Sequence, residues 1–314
     1  MSNKALILML VTISMLSLSI GSINIFSDLQ GYSFVLFEIR LPRIILAAIG
    51  GAALAISGAV YQVLLENRMA DSFTLGMANG ATLGAFLAIT LSLPLVFISL
   101  FGIATGLFAL LIVLILARHL DSKYSPGTLI ITGVLLGALF SGLLYVFIVF
   151  QPDKTNHLLS FMFGSFGNAK YSQILIVGSL FFIAFFYAFN RAKQLDFLSL
   201  GDLRAHSLGV KVSRLRLNLL IILALPTLAL ISFTGVIGLV GIIIPQTIQF
   251  YKPLRMKHLL VKSALLGAIY LVLADFIGRV AIMPYSIPTG IIVMLSSIPI
   301  IFLLLYKRFI RMTN

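Results

Sequence analysis

Cysteine is absent from the 314 residues. That excludes disulfides and thiolate-ligated metal centres within the chain, and it says nothing further about compartment. Charge is scarce too: 10% of the residues are Asp, Glu, Lys or Arg against 60% hydrophobic, and the mean hydropathy is +1.13. So little charge cannot cover a water-facing surface, so a soluble globular protein is excluded and an integral membrane protein is implied. Acidic groups are scarcest. The nine are Asp28, Glu38, Glu66, Asp71, Asp121, Asp153, Asp196, Asp202 and Asp275, each in a turn or near the end of an apolar run. A carrier driven by protons or sodium places titratable or coordinating groups at mid-membrane depth, and none is visible here. Asp275, the deepest, lies one helical turn from Arg279 and reads as its ion-pair partner. His119, His157, His206 and His258 are scattered without ligand spacing, so no metal site is assigned. A nucleotide-binding glycine loop and a Ser-His-Asp set are also missing, so no catalytic residue is assigned. Energy has to come from another chain.

What the sequence does have is a succession of apolar runs of roughly 20 residues, each long enough to cross a hydrocarbon core as a helix and too long for the alternating strands of a barrel. Read against breakers, they predict an all-α, polytopic bundle of about ten transmembrane helices, over 5–25, 42–65, 74–93, 95–117, 127–150, 172–190, 217–233, 238–251, 259–277 and 289–306. One transmembrane domain, 1–314, is expected. The first run has only Lys4 before it and no small-residue cleavage site followed by a soluble sequence, so it reads as a retained span. The net charge of +13 sits in short clusters between runs, among them Arg191 to Arg216, Lys252 to Lys257 and Lys307 to Arg311. Such clusters anchor loops on an anionic cytosolic leaflet, which puts both termini in the cytosol, makes membrane lipid the partner and requires no nucleic acid.

Against that pattern stands "EIRLPRIILAAIGG", residues 38–51, which places Arg40 and Arg43 at the outer mouth of the second run, with Arg279 ending the ninth on the same side. Pro42 suits the first turn of a helix, so the two arginines flank its start and face one way. Anchoring to phosphates, or pairing with Glu38 and Asp275, would account for them. Small residues recur at four-residue steps (Ala47, Gly51, Ala55, Ala59; Gly76, Gly80, Gly84; Gly133, Gly137, Ser141), which predicts close helix packing. The longest cytosolic connection is 195–216, "LDFLSLGDLRAHSLGVKVSRLR". Leu198, Leu200, Leu203 and Leu208 give it an apolar side, Gly201 and Gly209 punctuate it, and Asp202 is placed to cap a short helix running to about Ser207. A peg for a partner's groove and a helix lying on lipid headgroups fit it equally.

Several long blocks occur in order over almost the whole chain: "RLPRIILAAIGGAALAISGAVYQVLLENRMADSFTLGMANGA" (40–81), "LSLGDLRAHSLGV" (198–210), "GVIGLVGIIIPQ" (235–246), "LVLADFIGR" (271–279) and "SIPTGIIVMLSSIPIIFLLLYKR" (286–308). Together they resemble the iron-siderophore, haem and cobalamin importer permeases of the ABC superfamily, the type II importers. The resemblance implies a non-catalytic permease subunit of the bacterial inner membrane. A second permease subunit, two cytosolic ATPases that bind ATP and magnesium, and an external binding protein would complete the assembly. It implies an iron-siderophore as ligand, with cobalamin or haem as alternatives, and alternating access as the mechanism; a secondary carrier working without ATPases is the rival from another class. Arg40, Arg43 and Arg279 become docking sockets for glutamates of the binding protein. Leu200, Gly201, Asp202, Leu203, Leu208 and Gly209 become the coupling helix seated on the ATPase, with Asp202 at its cap.

Two further expectations concern the path. Thr128, Thr132, Ser141, Ser296 and Ser297 combine small size with weak polarity on the fifth and tenth runs and are candidates to line it. Asn67, with the 125–128 segment, is a candidate gate at the cytosolic end. Departures from the family pattern are local. Asn67-Arg68-Met69-Ala70-Asp71-Ser72 lacks two prolines of the usual Asn-Pro-Leu-Ala-Asp-Pro, Gln246 follows Pro245 where a histidine is common, and the 161–167 segment lacks the usual tryptophan.

Overall fold

The computed structural model describes residues 2–21, 33–121, 123–283 and 285–313. Among them every regular element is helical, and the one isolated bridge joins Ile282 to Tyr285. The helices are α1 (Asn3–Ser19), α2 (Leu41–Leu64, entered through a π-helical turn Val35–Arg40), α3 (Met77–Thr90), α4 (Leu95–Leu120) and α5 (Pro126–Phe150). After them come α6 (Thr155–Met162), α7 (Tyr171–Asn190), α8 (Ala192–Leu198), α9 (Asp202–Ser207) and α10 (Val212–Thr234). The chain finishes with α11 (Val240–Tyr251), α12 (Met256–Val280) and α13 (Thr289–Thr313).

Each expected span coincides with a helix, but not all are of spanning length. Seven are long and apolar enough to cross a membrane, whereas α1 and α3 are apolar but shorter. The end of the expected 5–25 span, with Asp28, lies outside the described residues. The 74–93 expectation contracts to α3 because residues 65–76 form a crossover of turns ending at Gly76, whose φ is 71°. The 238–251 expectation contracts to α11, because Gly235 (φ 79°) ends α10 and the segment after it runs without helix to Leu239. Non-helical backbone inside a bundle is tolerated where protein satisfies it. Here Val236 N donates to Phe161 O (3.0 Å) and Ser165 N to Thr234 O (2.7 Å).

The most apolar window of α2 is 83% buried against 28% for α5, α7 and α13, so α2 is the central post and the others face outward. Small residues make this possible. A Cβ added at Gly51 would collide with the carbonyl of Gly267 on α12, and one added at Gly58 would collide with Gly241 on α11. The stripes thus serve backbone contact between helices. Phe182, Phe186, Val149 and Phe302 stay exposed, as lipid-facing side chains do in a bundle whose solvent is hydrocarbon.

Candidate functional sites at the two ends of the bundle

At one end the three arginines meet. Arg43, on the first turn of α2, grips Asp275 of α12 with both arms of its fork: Nε lies 2.8 Å from Oδ2 and Nη2 2.8 Å from Oδ1. Thr289, opening α13, donates its hydroxyl to Asp275 Oδ1 at 2.8 Å, and Arg279 Nε stands 3.5 Å from Oδ2. Arg40 donates to Leu18 O (2.6 Å) and Ser19 O (3.3 Å), and Arg279 to Ser17 O (2.8 Å). Those are the last carbonyls of α1, which have no partner within the helix and carry the negative end of its dipole. The arginines therefore bind α1, α2, α12 and α13 together. Sequence spacing paired Asp275 with Arg279; its closest partner is Arg43, 232 residues away. Arg40 and Arg43 are only 5% and 9% exposed and turn inward. Lys154 also turns inward, onto Ile89 O (3.1 Å) and Ser92 Oγ (3.2 Å) at the end of α3.

At the opposite, basic end α9 projects as a single short turn of helix. Gly201 (φ 99°) opens it and Gly209 (φ 81°) closes it, both in the left-handed region that glycine adopts without strain. Gly209 N bonds His206 O (2.9 Å) and Val210 N bonds Ala205 O (3.1 Å), the paired closure of a Schellman motif. Ala205 and Val210 are buried beneath, while Leu203 is 89% exposed and Leu200 and Leu208 are exposed beside it. An apolar tip is held out on a rigid base. The cap expectation is corrected: Asp202 makes no cap hydrogen bond and instead receives Arg216 of α10, Nη2 to Oδ1 at 2.8 Å and Nη1 to Oδ2 at 3.1 Å. Arg216 was legible only as one more cytosolic cation. In the fold it is 0% exposed and also donates to Leu64 O (2.8 Å) and Tyr124 O (2.9 Å). Glu66 joins the cluster, its carboxyl pushed up by burial and then by the neighbouring Asp202, with Arg216 opposing.

Asn67 lies in the 65–76 crossover of the same end, where its Oδ1 accepts from Met69 N at 2.9 Å. Four residues on, Asp71 is buried against Gly241 and accepts from Phe73 N (2.9 Å), Thr74 N (3.2 Å) and the Thr74 hydroxyl (3.2 Å). Burial outweighs those bonds and lifts its carboxyl to about 6. Gln246 donates to Arg68 O (2.6 Å) and so ties α11 to this crossover. A cavity of about 780 Å³ opens beside it, lined in part by Gln62, Glu66, Arg68, Gln249 and Phe250.

The path candidates divide. Thr128 Oγ1 meets Ser125 Oγ at 2.8 Å near the start of α5. Thr132 is buried and bonds back to Thr128 O (2.7 Å), and Ser141 accepts from Asn79 Nδ2 of α3 (3.2 Å). Ser296 and Ser297 both meet Tyr270 of α12, at 2.7 and 2.9 Å, and Ser297 is wholly buried. These hydroxyls bond inward within one chain, which corrects the expectation for Thr132 and Ser297. What α5 and α13 expose is aliphatic and aromatic: Leu135, Leu139, Leu295 and Phe302.

A family model described as the FecCD transport family matches residues 4–307. The chain belongs to this family. Similar proteins include the Fe(3+) dicitrate transport system permease protein FecD of Escherichia coli, 32% identical over 268 residues, covering 85% of this chain and 83% of that protein. The vitamin B12 import system permease protein BtuC of Serratia proteamaculans is 32% identical over 300 residues, covering 93% and 88%. A solved structure described as an inward-facing conformation of a metal-chelate type ABC transporter superposes with a TM-score of 0.89 at 29% identity, covering 97% of this chain and 98% of that one. The helical membrane fold is therefore that of an ABC importer permease.

Proposed function

We propose that this FecCD-family chain takes a ferric chelate of the siderophore type from an external binding protein and releases it to the cytosol by alternating access. The coarser statement follows from the family: the chain is a permease subunit of a type II ABC importer for iron chelates, haem or vitamin B12, and a partner hydrolyses the ATP. Iron is favoured by the dicitrate relative and the metal-chelate structure; cobalamin and haem are the alternatives. The basic end is assigned to the cytosol of a bacterial inner membrane by its lysines and arginines.

Leu203 carries the coupling assignment. A leucine 89% exposed at the tip of a helix closed by two left-handed glycines is stable in water only at a cost, and a groove on the ATPase removes it. The second permease subunit is assigned to the exposed apolar faces of α5 and α13, which then flank an apolar path, with Asn67 and the 125–128 segment at its cytosolic gate. The binding protein is assigned to the opposite end. There Arg40, Arg43 and Arg279 act through their shared positive field, which steers an acidic partner, more than by projecting contacts. The test is reconstitution with the partner subunits and a panel of labelled chelates. Uptake of a ferric chelate, with hydrolysis and ATPase co-purification both lost in Leu203→Asp, is expected. Uptake restricted to cobalamin or haem would replace the ligand, and uptake without any ATPase would replace the mechanism with a secondary carrier.

A further inference from the structure

The wholly buried Arg216 joins three segments: Asp202 at the base of α9, the carbonyl of Leu64 at the end of α2, and the carbonyl of Tyr124 in the turn between α4 and α5. The Tyr124 carbonyl belongs to a residue in the left-handed region, and the Leu64 carbonyl closes α2 just before another. Tyr124 itself has φ 54°, and Glu66, two residues after Leu64, has φ 46°; neither is glycine, and side chains rarely adopt this region unless the surroundings hold them there. Each turn leads directly into a gate candidate, Tyr124 into Ser125–Thr128 and Glu66 into Asn67. The guanidinium is suited to the task, being planar, permanently charged and able to donate to several acceptors in fixed directions at once.

We infer that Arg216 is the joint that couples α9 to both gate segments: while Asp202 holds its fork, Arg216 keeps the 64–67 and 124–128 turns in their strained form, and displacement of α9 by the ATPase withdraws Asp202 and lets both turns relax together. The inference rests on the coupling reading. Arg216 is a positioning residue, since it acts on the gates only through backbone carbonyls. A single buried fork gives one mechanical input and two outputs, so the two gate segments cannot respond independently. Strain at the two turns supplies the direction of movement on release, because each left-handed residue gains freedom once its neighbouring carbonyl is let go.

The chain has no cysteine, so paired labels are clean. Cysteines replacing the exposed His206 and Lys123 carry spin labels across the joint in the reconstituted importer. Arg216→Lys keeps the charge but loses the fork, and Asp202→Asn loses the charge pair while leaving both carbonyl bonds. In each, the ATPase is expected to co-purify as in wild type, the 206–123 distance distribution to broaden, and ligand-stimulated hydrolysis to fall about tenfold, the scale of one lost charged hydrogen bond. Adding Glu66→Gly and Tyr124→Gly should narrow the distribution and restore much of the stimulation, because glycine holds a left-handed turn unaided. Should Arg216→Lys fail to assemble, Asp202→Asn decides alone. Wild-type stimulation and an unbroadened distribution in Asp202→Asn, with Leu203→Asp still releasing the ATPase, overturn the joint and leave the coupling reading intact. Retention of the ATPase by Leu203→Asp overturns both.

Discussion

Removing Asp275 tests whether the outer arginines are first of all structural. The carboxylate is 1% exposed and receives Arg43 Nε and Nη2 at 2.8 Å each, the Thr289 hydroxyl at 2.8 Å and Arg279 at 3.5 Å. Asp275→Ala would leave two guanidiniums facing each other in a site with little water. Breaking one side of a buried ion pair commonly costs about 3–5 kcal/mol, because the remaining charge stays desolvated and unpaired. At the usual scaling that lowers the midpoint of thermal unfolding by roughly 10 °C. Replacing both partners together, as Arg43→Met with Asp275→Leu, removes that pair's charges and leaves Arg279 as the one guanidinium there, and should recover part of that loss. The assay is thermal unfolding of the purified chain in nanodiscs, with folded yield as a second readout. An Asp275→Ala protein as stable as wild type, or a double variant less stable than the single one, would refute the reasoning. Arg43 and Arg279 would then be free to serve a partner instead.

Three further outcomes follow from the geometry. Asp71 has its carboxyl raised from 3.8 to about 6 by burial, so its contribution to stability is fully present below about pH 4 and is lost as pH rises through 6. The shift is worth on the order of 3 kcal/mol, and Asp71→Asn, which keeps an accepting oxygen, should flatten the fall in stability between about pH 4 and about pH 6; an equally steep fall in the variant would show that other groups cause it. Gly267→Ala should loosen the α2–α12 contact, since the new Cβ meets the Gly51 carbonyl, at a cost of about 1–3 kcal/mol in unfolding measurements, whereas Gly127→Ala, with nothing nearby, should cost nothing. Gly209→Ala should destabilise α9 by about 1–2 kcal/mol through its left-handed φ alone, detected as faster amide exchange at Val210 with the rest of the chain unchanged.

Much of the fold was legible because the membrane makes it local. Apolar runs of spanning length, Pro42 in a first turn, and glycines at helix contacts are all set by a segment's own residues, since a backbone in hydrocarbon must satisfy itself within the segment. The same holds for α9, whose bounding glycines are a property of six residues and their flanks. The crossover 65–76 and the non-helical stretch before α11 were hidden inside apolar runs, because hydropathy records depth and not backbone conformation.

Which side chains meet was decided by the tertiary structure. Asp275 reads as the partner of Arg279 one turn away, yet packing of α2 on α12 through Gly51 and Gly267 brings Arg43 into bidentate reach. Asp202 reads as a cap, yet the buried fork of Arg216 offers it two charged bonds in place of one weak one. Ser297 reads as pore-lining, yet its helix turns it onto Tyr270. By itself the sequence determined that the chain spans a membrane and which family it belongs to. The pairing of its few charges depended on helix contacts 14 to 232 residues apart, because a buried ion takes whichever partner the packing delivers and sequence spacing carries no record of that delivery.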